Sequence, residues 1–282
     1  MIKRITPLIL TYNEAPNIGR TLERLRWAGE VVIVDSFSED ETLEVVSGFP
    51  NARVFRRRFD SHEKQWNFGL RETGITSEWV LALDADYILT PELIDELKSM
   101  EPGDDVAGFS ANFIYCINGR PLRGSAYPPV TVLYRRAKAL YRQDGHTQRV
   151  IVDGKVEPLR APILHDDRKP LAHWLQSQAR YMRIEARKLA ETESASLALS
   201  DRIRKMRVVA PFLMLFYCLV AKRAILDGKA GLFYAFQRTV AELILSLYLV
   251  EDDLRRMTQR KNEKPVESAL PTPSLVEGKE QG

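Results

Sequence analysis

The stretch LALDADYILTPE, residues 81–92, decides how this chain is to be read. Leu81-Ala82-Leu83 ends a short apolar run, and Asp84 and Asp86 follow it directly as two carboxylates one residue apart. Thr90 and Pro91 then open a helix, because a threonine hydroxyl satisfies free first-turn amides and proline suits a position that needs no N–H. A buried strand, an acidic pair and a capped helix mark a strand edge in an α/β sheet, and open sheets of this kind bind ligands beyond the carboxyl ends of their strands. Acids so spaced can bring oxygen to a hard cation such as Mg2+ or Mn2+, which keeps some waters and bridges substrate phosphates. Small Ala85 leaves room for a bulky ligand.

Upstream, the same grammar repeats. Ile5–Leu10 is a strand ending in Thr11-Tyr12-Asn13-Glu14, with full pairing expected only after Pro7. A helix from Pro16 to about Trp27 puts Ile18, Leu22 and Leu25 on one face. Glu30–Val34 is a second strand stopping at Asp35, and Ser38 with Glu41 predicts a capping box for the next helix. Ala52–Phe55, a helix over Ser61–Glu72 and the strand Glu78–Leu83 complete a βαβ series. One strand-end aspartate is readily a helix cap. Clusters at Thr11–Glu14, Asp35–Asp40 and Asp84–Asp86, on one sheet edge, are harder to explain that way.

Past Gly103 the pattern turns antiparallel. Asn118-Gly119 predicts a hairpin between Val106–Ile117 and Arg120–Arg123, since both residues suit a type I′ turn. Asp153-Gly154 predicts another between Val150–Val152 and Val156–Leu159.

TYNE after the first strand, VDSFSEDET after the second, QWNFGL in the third helix and LALDADY after the fourth resemble the inverting family 2 glycosyltransferases of GT-A fold. The resemblance covers roughly residues 4–165. Within that family FDSHEKQWNFGL and KRAILDGKAGLFYAF are similar to the branch containing lipopolysaccharide-core β-1,4-glucosyltransferases. The resemblance implies an α/β, Rossmann-like GT-A domain with a mixed sheet that uses a nucleotide-sugar donor, a UDP-hexose, with Mg2+ or Mn2+. It further implies that Thr11, Asn13 and Glu14 line the nucleotide pocket and that Asp35 hydrogen-bonds the base. Gln65 and Asn67 would face the ribose-diphosphate region, Asp84 ribose or metal, and Asp86 the metal. The implied acceptor is a lipopolysaccharide-core or other lipid-linked glycan, met at the cytoplasmic face of a membrane.

Inverting transfer needs a base for the acceptor hydroxyl. Relatives carry an acid after a histidine where this chain has His146-Thr147, so the base is sought among Asp144, His146 and His165-Asp166-Asp167. Asp144 is the first choice and Asp166 the second; His165 is also a candidate metal ligand. Two other readings stay open: a polyisoprenyl-phosphate sugar synthase using the same donor site, and a non-catalytic membrane-attached glycan-binding module.

The rest of the chain sets limits. A net charge of +3 without a binding motif excludes nucleic acid as an expected partner. Cys116 and Cys218 read as buried thiols, and MIKRITPLILTYNE lacks the apolar core and cleavage site of a secretion signal, so a cytoplasmic chain is expected. Val208–Ala221 is apolar but too short to cross a bilayer. With Gly231–Val250 and flanking Lys205, Arg207, Lys222 and Arg223 it suits either an interfacial membrane position or a helical pair that caps the sheet or forms a dimer interface. The expected organisation is a GT-A domain over residues 1–168, a helical membrane-associating or acceptor region over 169–258 and a disordered, proline-containing tail over 259–282.

Overall fold

The computed structural model describes residues 1–144, 147–193 and 197–263. Strands β1 (Ile5–Thr11), β2 (Val31–Asp35), β3 (Ala52–Arg56) and β4 (Trp79–Asp84) form a parallel block, joined by α1 (Ala15–Glu23), α2 (Thr42–Ser47) and α3 (His62–Arg71). After β5 (Tyr87–Leu89) and α4 (Pro91–Ser99) come β6 (Val106–Ala111), β7 (Phe113–Ile117), β8 (Arg120–Pro121) and β9 (Val130–Arg135). Then follow β10 (Ala139–Asp144), β11 (Thr147–Val152), β12 (Lys155–Pro158) and β13 (Ile163–His165). The main sheet has the order β12-β6-β9-β4-β1-β2-β3, with β9 antiparallel to β4 and β6. A smaller sheet, β5-β13-β7-β8, stands beside the end of β4, and β10 pairs with β11 alone.

The central strands are apolar on both faces, as a sheet covered on both sides requires. Ile9, Ile33, Leu81 and Leu83 face Ile18 and Leu22 of α1, Val46 of α2 and Leu93 of α4. Leu8, Val32, Val34 and Val80 face the other way, onto Trp66 and Leu70 of α3 and Tyr134 and Tyr141. Two strands flanking β1 hold it, and Pro7 limits only one side: pairing with β4 starts at Ile5, pairing with β2 at Leu8.

Several expected local features differ. Ser38 caps no helix; its hydroxyl turns back onto Asp35, and α2 starts after Glu41 without a side-chain cap. The run Val106–Ile117 breaks at Asn112 into β6 and β7, which belong to different sheets. Asn118 (φ 49°) and Gly119 (φ 79°) do close the β7–β8 hairpin. Asp153-Gly154 closes none, because β11 pairs back onto β10 while β12 joins β6 in parallel.

The C-terminal region is helical: α5 (Leu171–Glu191), α6 (Leu199–Lys205), α7 (Val209–Phe216) running into a π-helical turn at Tyr217–Ala221, and α8 (Gly228–Glu263). The helix α8 thus passes the boundary at 259 where a tail was expected; residues 264–282 lie outside the described residues. Met182, Ala186 and Leu189 of α5 pack on Ala241, Leu245 and Leu249 of α8. Glu242 of α8, almost wholly buried, takes Arg204 of α6 in a two-pronged ion pair. Gly231 is obligatory where α8 begins, since a Cβ there would lie 1.8 Å from the Ala224 carbonyl oxygen. Cys116 and Cys218 are both free and buried.

Candidate active site

The carboxyl ends of β1, β2 and β4 bring the predicted clusters together, and β13 adds its own end from the smaller sheet. Asp35 is fully buried. Its Oδ2 accepts from Thr11 Oγ1 at 3.0 Å and from Ser38 Oγ at 2.5 Å, and its Oδ1 accepts from Ser38 N at 3.0 Å. Asn13, in the left-handed region at φ 53°, donates its amide to Ser38 Oγ and accepts from Glu39 N. Asp35 therefore ties the loop after β1 to the loop after β2 from beneath, with two bonds on Oδ2 and one on Oδ1.

Gln65 is likewise buried. It donates to Ser36 Oγ and to the Arg57 carbonyl and accepts from Arg57 Nη1 at 2.5 Å, so it holds Arg57 beside the end of β2. Asn67 is taken up within the fold: both ends of its amide pair with the Tyr141 backbone, tying α3 to β10. An amide bound at both ends in this way acts as a clasp.

The densest charge cluster lies where β4 meets β13. Asp86 Oδ2 is 3.1 Å from His165 Nε2. Glu14 Oε1 accepts from Lys169 Nζ at 2.5 Å and Oε2 from Asn17 Nδ2 at 2.9 Å. Burial, with the Asp86 charge adding to it, raises Glu14 to about 7 in spite of Lys169. Burial and repulsion from Asp86 likewise raise Asp84 to about 6. Burial pushes Asp86 upward too, but His165 and then Lys169 outweigh it, leaving Asp86 below the usual carboxylate range. His165 is the converse: burial lowers it, and Asp86 and Asp84 raise it above 6.5. Its ring stands among Tyr87, Tyr115 and Tyr127, with centroids 5.3, 4.7 and 4.8 Å away, and its buried Nδ1 has no partner.

Asp166 does not present itself as a base. Its Oδ2 takes Arg20 Nη1 at 2.6 Å and Arg168 Nε at 2.9 Å, and its Oδ1 takes Gly119 N at 2.8 Å. Both oxygens of this buried carboxylate are thus taken up by two guanidinium groups and an amide, which makes it a clamp between segments. Asp167 next to it is half-buried and uses Oδ1 for Asn17 Nδ2 and Lys169 N. His146 lies outside the described residues, as does the side chain of Asp144; the Asp144 backbone ends β10, opposite Thr147.

Asn17, Arg20, Lys169 and the three tyrosines were not singled out by sequence. Asn17 is the hub: fully buried in the first turn of α1, it donates to Glu14 and Asp167 and accepts from Arg20 Nη2 and Arg168 N. Its signal was an asparagine beside Ile18 on the inward face of an amphipathic helix, where a polar side chain needs partners.

What converges here is a set of acids at the carboxyl edge of the sheet, with Asp86 and His165 in contact as the pair that could share a metal and Asp84 near them. The family model "Glycosyl transferase family 2" matches residues 8–155. An uncharacterized glycosyltransferase of Rickettsia bellii is 34% identical over 99 residues, 35% of this chain and 33% of that protein. The lipopolysaccharide core biosynthesis glycosyltransferase LpsC of Rhizobium meliloti is 29% identical over 147 residues, 49% of this chain and 51% of the relative. The matches thus span a third to a half of the curated relatives' lengths. Among solved structures, S. aureus TarS with UDP-GlcNAc is similar at TM-score 0.42 and 15% identity, over 90% of this chain and 92% of that one. Glucosyl-3-phosphoglycerate synthase of Mycobacterium tuberculosis, with Mn2+, UDP and phosphoglyceric acid, is similar at TM-score 0.43 and 16% identity, over 67% and 80%. With the family model covering more than half of its length, from β1 to the start of β12, the chain belongs to glycosyl transferase family 2 and has its GT-A type of mixed sheet followed by a helical region.

Proposed function

We propose that the chain is an inverting, metal-dependent hexosyltransferase that moves a sugar from a UDP-hexose to a lipid-linked glycan of the lipopolysaccharide-core type. The observation that carries this is the convergence of Asp86 and His165 at 3.1 Å, with half-buried Asp84 beside them, on the ligand edge of a family 2 domain. The relative LpsC, named for core biosynthesis, supports the acceptor class. Such an acceptor puts the enzyme at the cytoplasmic face of the membrane.

The site fits a cation on physical grounds. Glu14 and Asp84 are both held toward their neutral forms by burial and by Asp86, a repulsion that a divalent ion relieves. Among the described residues no group of three or more His, Cys, Asp or Glu side chains is arranged to hold an ion by itself. Asp86 and His165, with Asp84, would therefore share Mg2+ or Mn2+ with phosphate oxygens and water, the habit of these ions. When bound, the ion offsets charge on the departing diphosphate.

The protein's own groups do the rest. Asp35 and Ser38 hold the Thr11–Glu14 loop that lines the nucleotide pocket. Asp166, clamped by Arg20 and Arg168, fixes the segment carrying His165 and Lys169. Asp144 is assigned as the base that takes the acceptor proton while the acceptor oxygen attacks the anomeric carbon and the carbon–phosphate oxygen bond breaks.

A thermal-shift panel with Mn2+ and UDP-glucose, UDP-galactose, UDP-GlcNAc or GDP-mannose tests this, followed by transfer to truncated lipopolysaccharide and NMR of the new linkage. One UDP-sugar should stabilise the protein and give a product of inverted configuration. No shift with any donor, or transfer to polyisoprenyl phosphate instead, would sink the reading.

A further inference from the structure

The helix α7 and the π-helical turn after it carry VAPFLMLFYCLVA over residues 209–221, without a charged side chain. One side faces inward: Ala210, Pro211 and Cys218 are buried. The opposite side is equally apolar and yet open, with Phe212 69%, Phe216 64% and Val220 55% exposed. A helix resting on a protein and facing water carries polar residues there. The open face continues through Ile225 and Leu226 to Phe233 and Phe236 on the first turns of α8. An apolar surface of this extent marks an interaction site.

Its rim is basic. Between Arg202 and Val250 the only acids are Asp227 and Glu242, and both are spent within the fold, on Arg123 and Arg204. Arg202, Arg223 and Lys229 are exposed around the apolar face. We propose that this face of α7 and the start of α8 docks on an anionic phospholipid bilayer, lying in the plane of the headgroups with its aromatic side chains among the upper acyl chains. Apolar side chains rimmed by cations match such a surface. A second copy fits less well, since an isologous interface would set this basic rim against itself.

The docking is in-plane, not spanning. Val209–Ala221 is shorter than the ~20 residues a crossing needs. The longer α8 is long and apolar enough to cross, but its inner side is committed to α5 and to the buried Arg204–Glu242 pair.

The face is joined to the catalytic cleft by a short segment. Arg123 N donates to Asp227, the Lys222 carbonyl packs on Gly124, and Ala126 N donates to Tyr234 Oη. The next residue, Tyr127, touches the His165 ring. A lipid held at this face therefore lies beside the acceptor side of the cleft; only that consequence rests on the proposed transferase reading.

Full-length protein sedimented with phosphatidylethanolamine–phosphatidylglycerol vesicles, and with phosphatidylcholine vesicles, tests the surface. The anionic vesicles should bind the chain in a salt-sensitive way and the neutral ones weakly. Phe212→Ser with Phe216→Ser should lower binding more than tenfold, and Arg223→Gln with Lys229→Gln by roughly fivefold per charge. The Mn2+–UDP affinity of each variant, expected to match the parent, reports that the fold is intact. If the parent ignores anionic vesicles, or the phenylalanine variant binds them equally, the proposal fails. It fails too if the parent is a dimer by light scattering that those substitutions dissociate. Loss of donor binding in the parent with vesicle binding retained would instead count against the transferase reading.

Discussion

Asn17→Ala removes the side chain that ties the start of α1 to the segment after β13. Asn17 is fully buried and bonds Glu14 at 2.9 Å, Asp167 at 2.8 Å, Arg20 at 2.8 Å and the Arg168 amide at 2.9 Å. Glu14 keeps Lys169, Asp167 keeps the Lys169 amide and Arg20 keeps Asp166, so those groups lose one partner of several. The Arg168 N–H loses its side-chain acceptor, and a stranded amide costs about 1–3 kcal/mol. With the weakened charged bonds the sum is about 2–4 kcal/mol. Equilibrium urea unfolding reads this directly, and at about 2–4 °C per kcal/mol for a chain of this size, Tm should fall by roughly 4–16 °C. The loops carrying Glu14 and Lys169 lose their common tie, so Mn2+–UDP affinity should fall as well. Asn17→Asp should be worse, because it removes both donated bonds and adds a third carboxylate between Glu14 and Asp167. A loss below about 1 kcal/mol with unchanged nucleotide affinity would refute the hub.

The metal-free protein should show His165 protonated above its ordinary 6.5, since Asp86 and Asp84 outweigh burial. This raised pKa contributes stability that is complete below 6.5 and is lost as pH rises through the folded value. In Asp86→Asn, NMR titration of the ring should find His165 lower than in the parent; an unmoved ring would contradict the pairing. Arg204→Met leaves Glu242 buried without its two-pronged partner and should cost about 3–5 kcal/mol by thermal unfolding. In Asp144→Asn, sugar transfer should be lost with Mn2+–UDP affinity kept; retained transfer moves the base to Asp167, the cleft carboxylate with one oxygen less engaged.

The sheet edge could be read from sequence because its evidence is local: an apolar strand stops and chemistry follows at once, as at Thr11, Asp35 and Asp84. Partner choice could not. Asn118-Gly119 and Asp153-Gly154 carry the same turn signal, yet the first closes a hairpin and the second passes the chain from β11 to a strand parallel with β6. Turn chemistry fixes the bend, while long-range burial decides which edge is filled. The same distinction runs through the site. Asp166 and Asp167 are indistinguishable as letters, and it is the arrival of Arg20 from α1 and of the Gly119 amide from the β7–β8 turn that separates the acid with both oxygens clamped from the one held at a single oxygen. Lys169 acquires its role from Glu14, 155 residues earlier, a relation no spacing rule contains.

A cation-dependent donor site requires the Asp84-Ala85-Asp86 edge to work together with His165. Calorimetric titration of UDP into the parent and into Asp86→Ala, each with and without Mn2+, tests that most directly. Binding should be strong only for the parent with Mn2+, and the ion should add nothing in Asp86→Ala. Equal Mn2+-dependent affinity in the two proteins would contradict the claim.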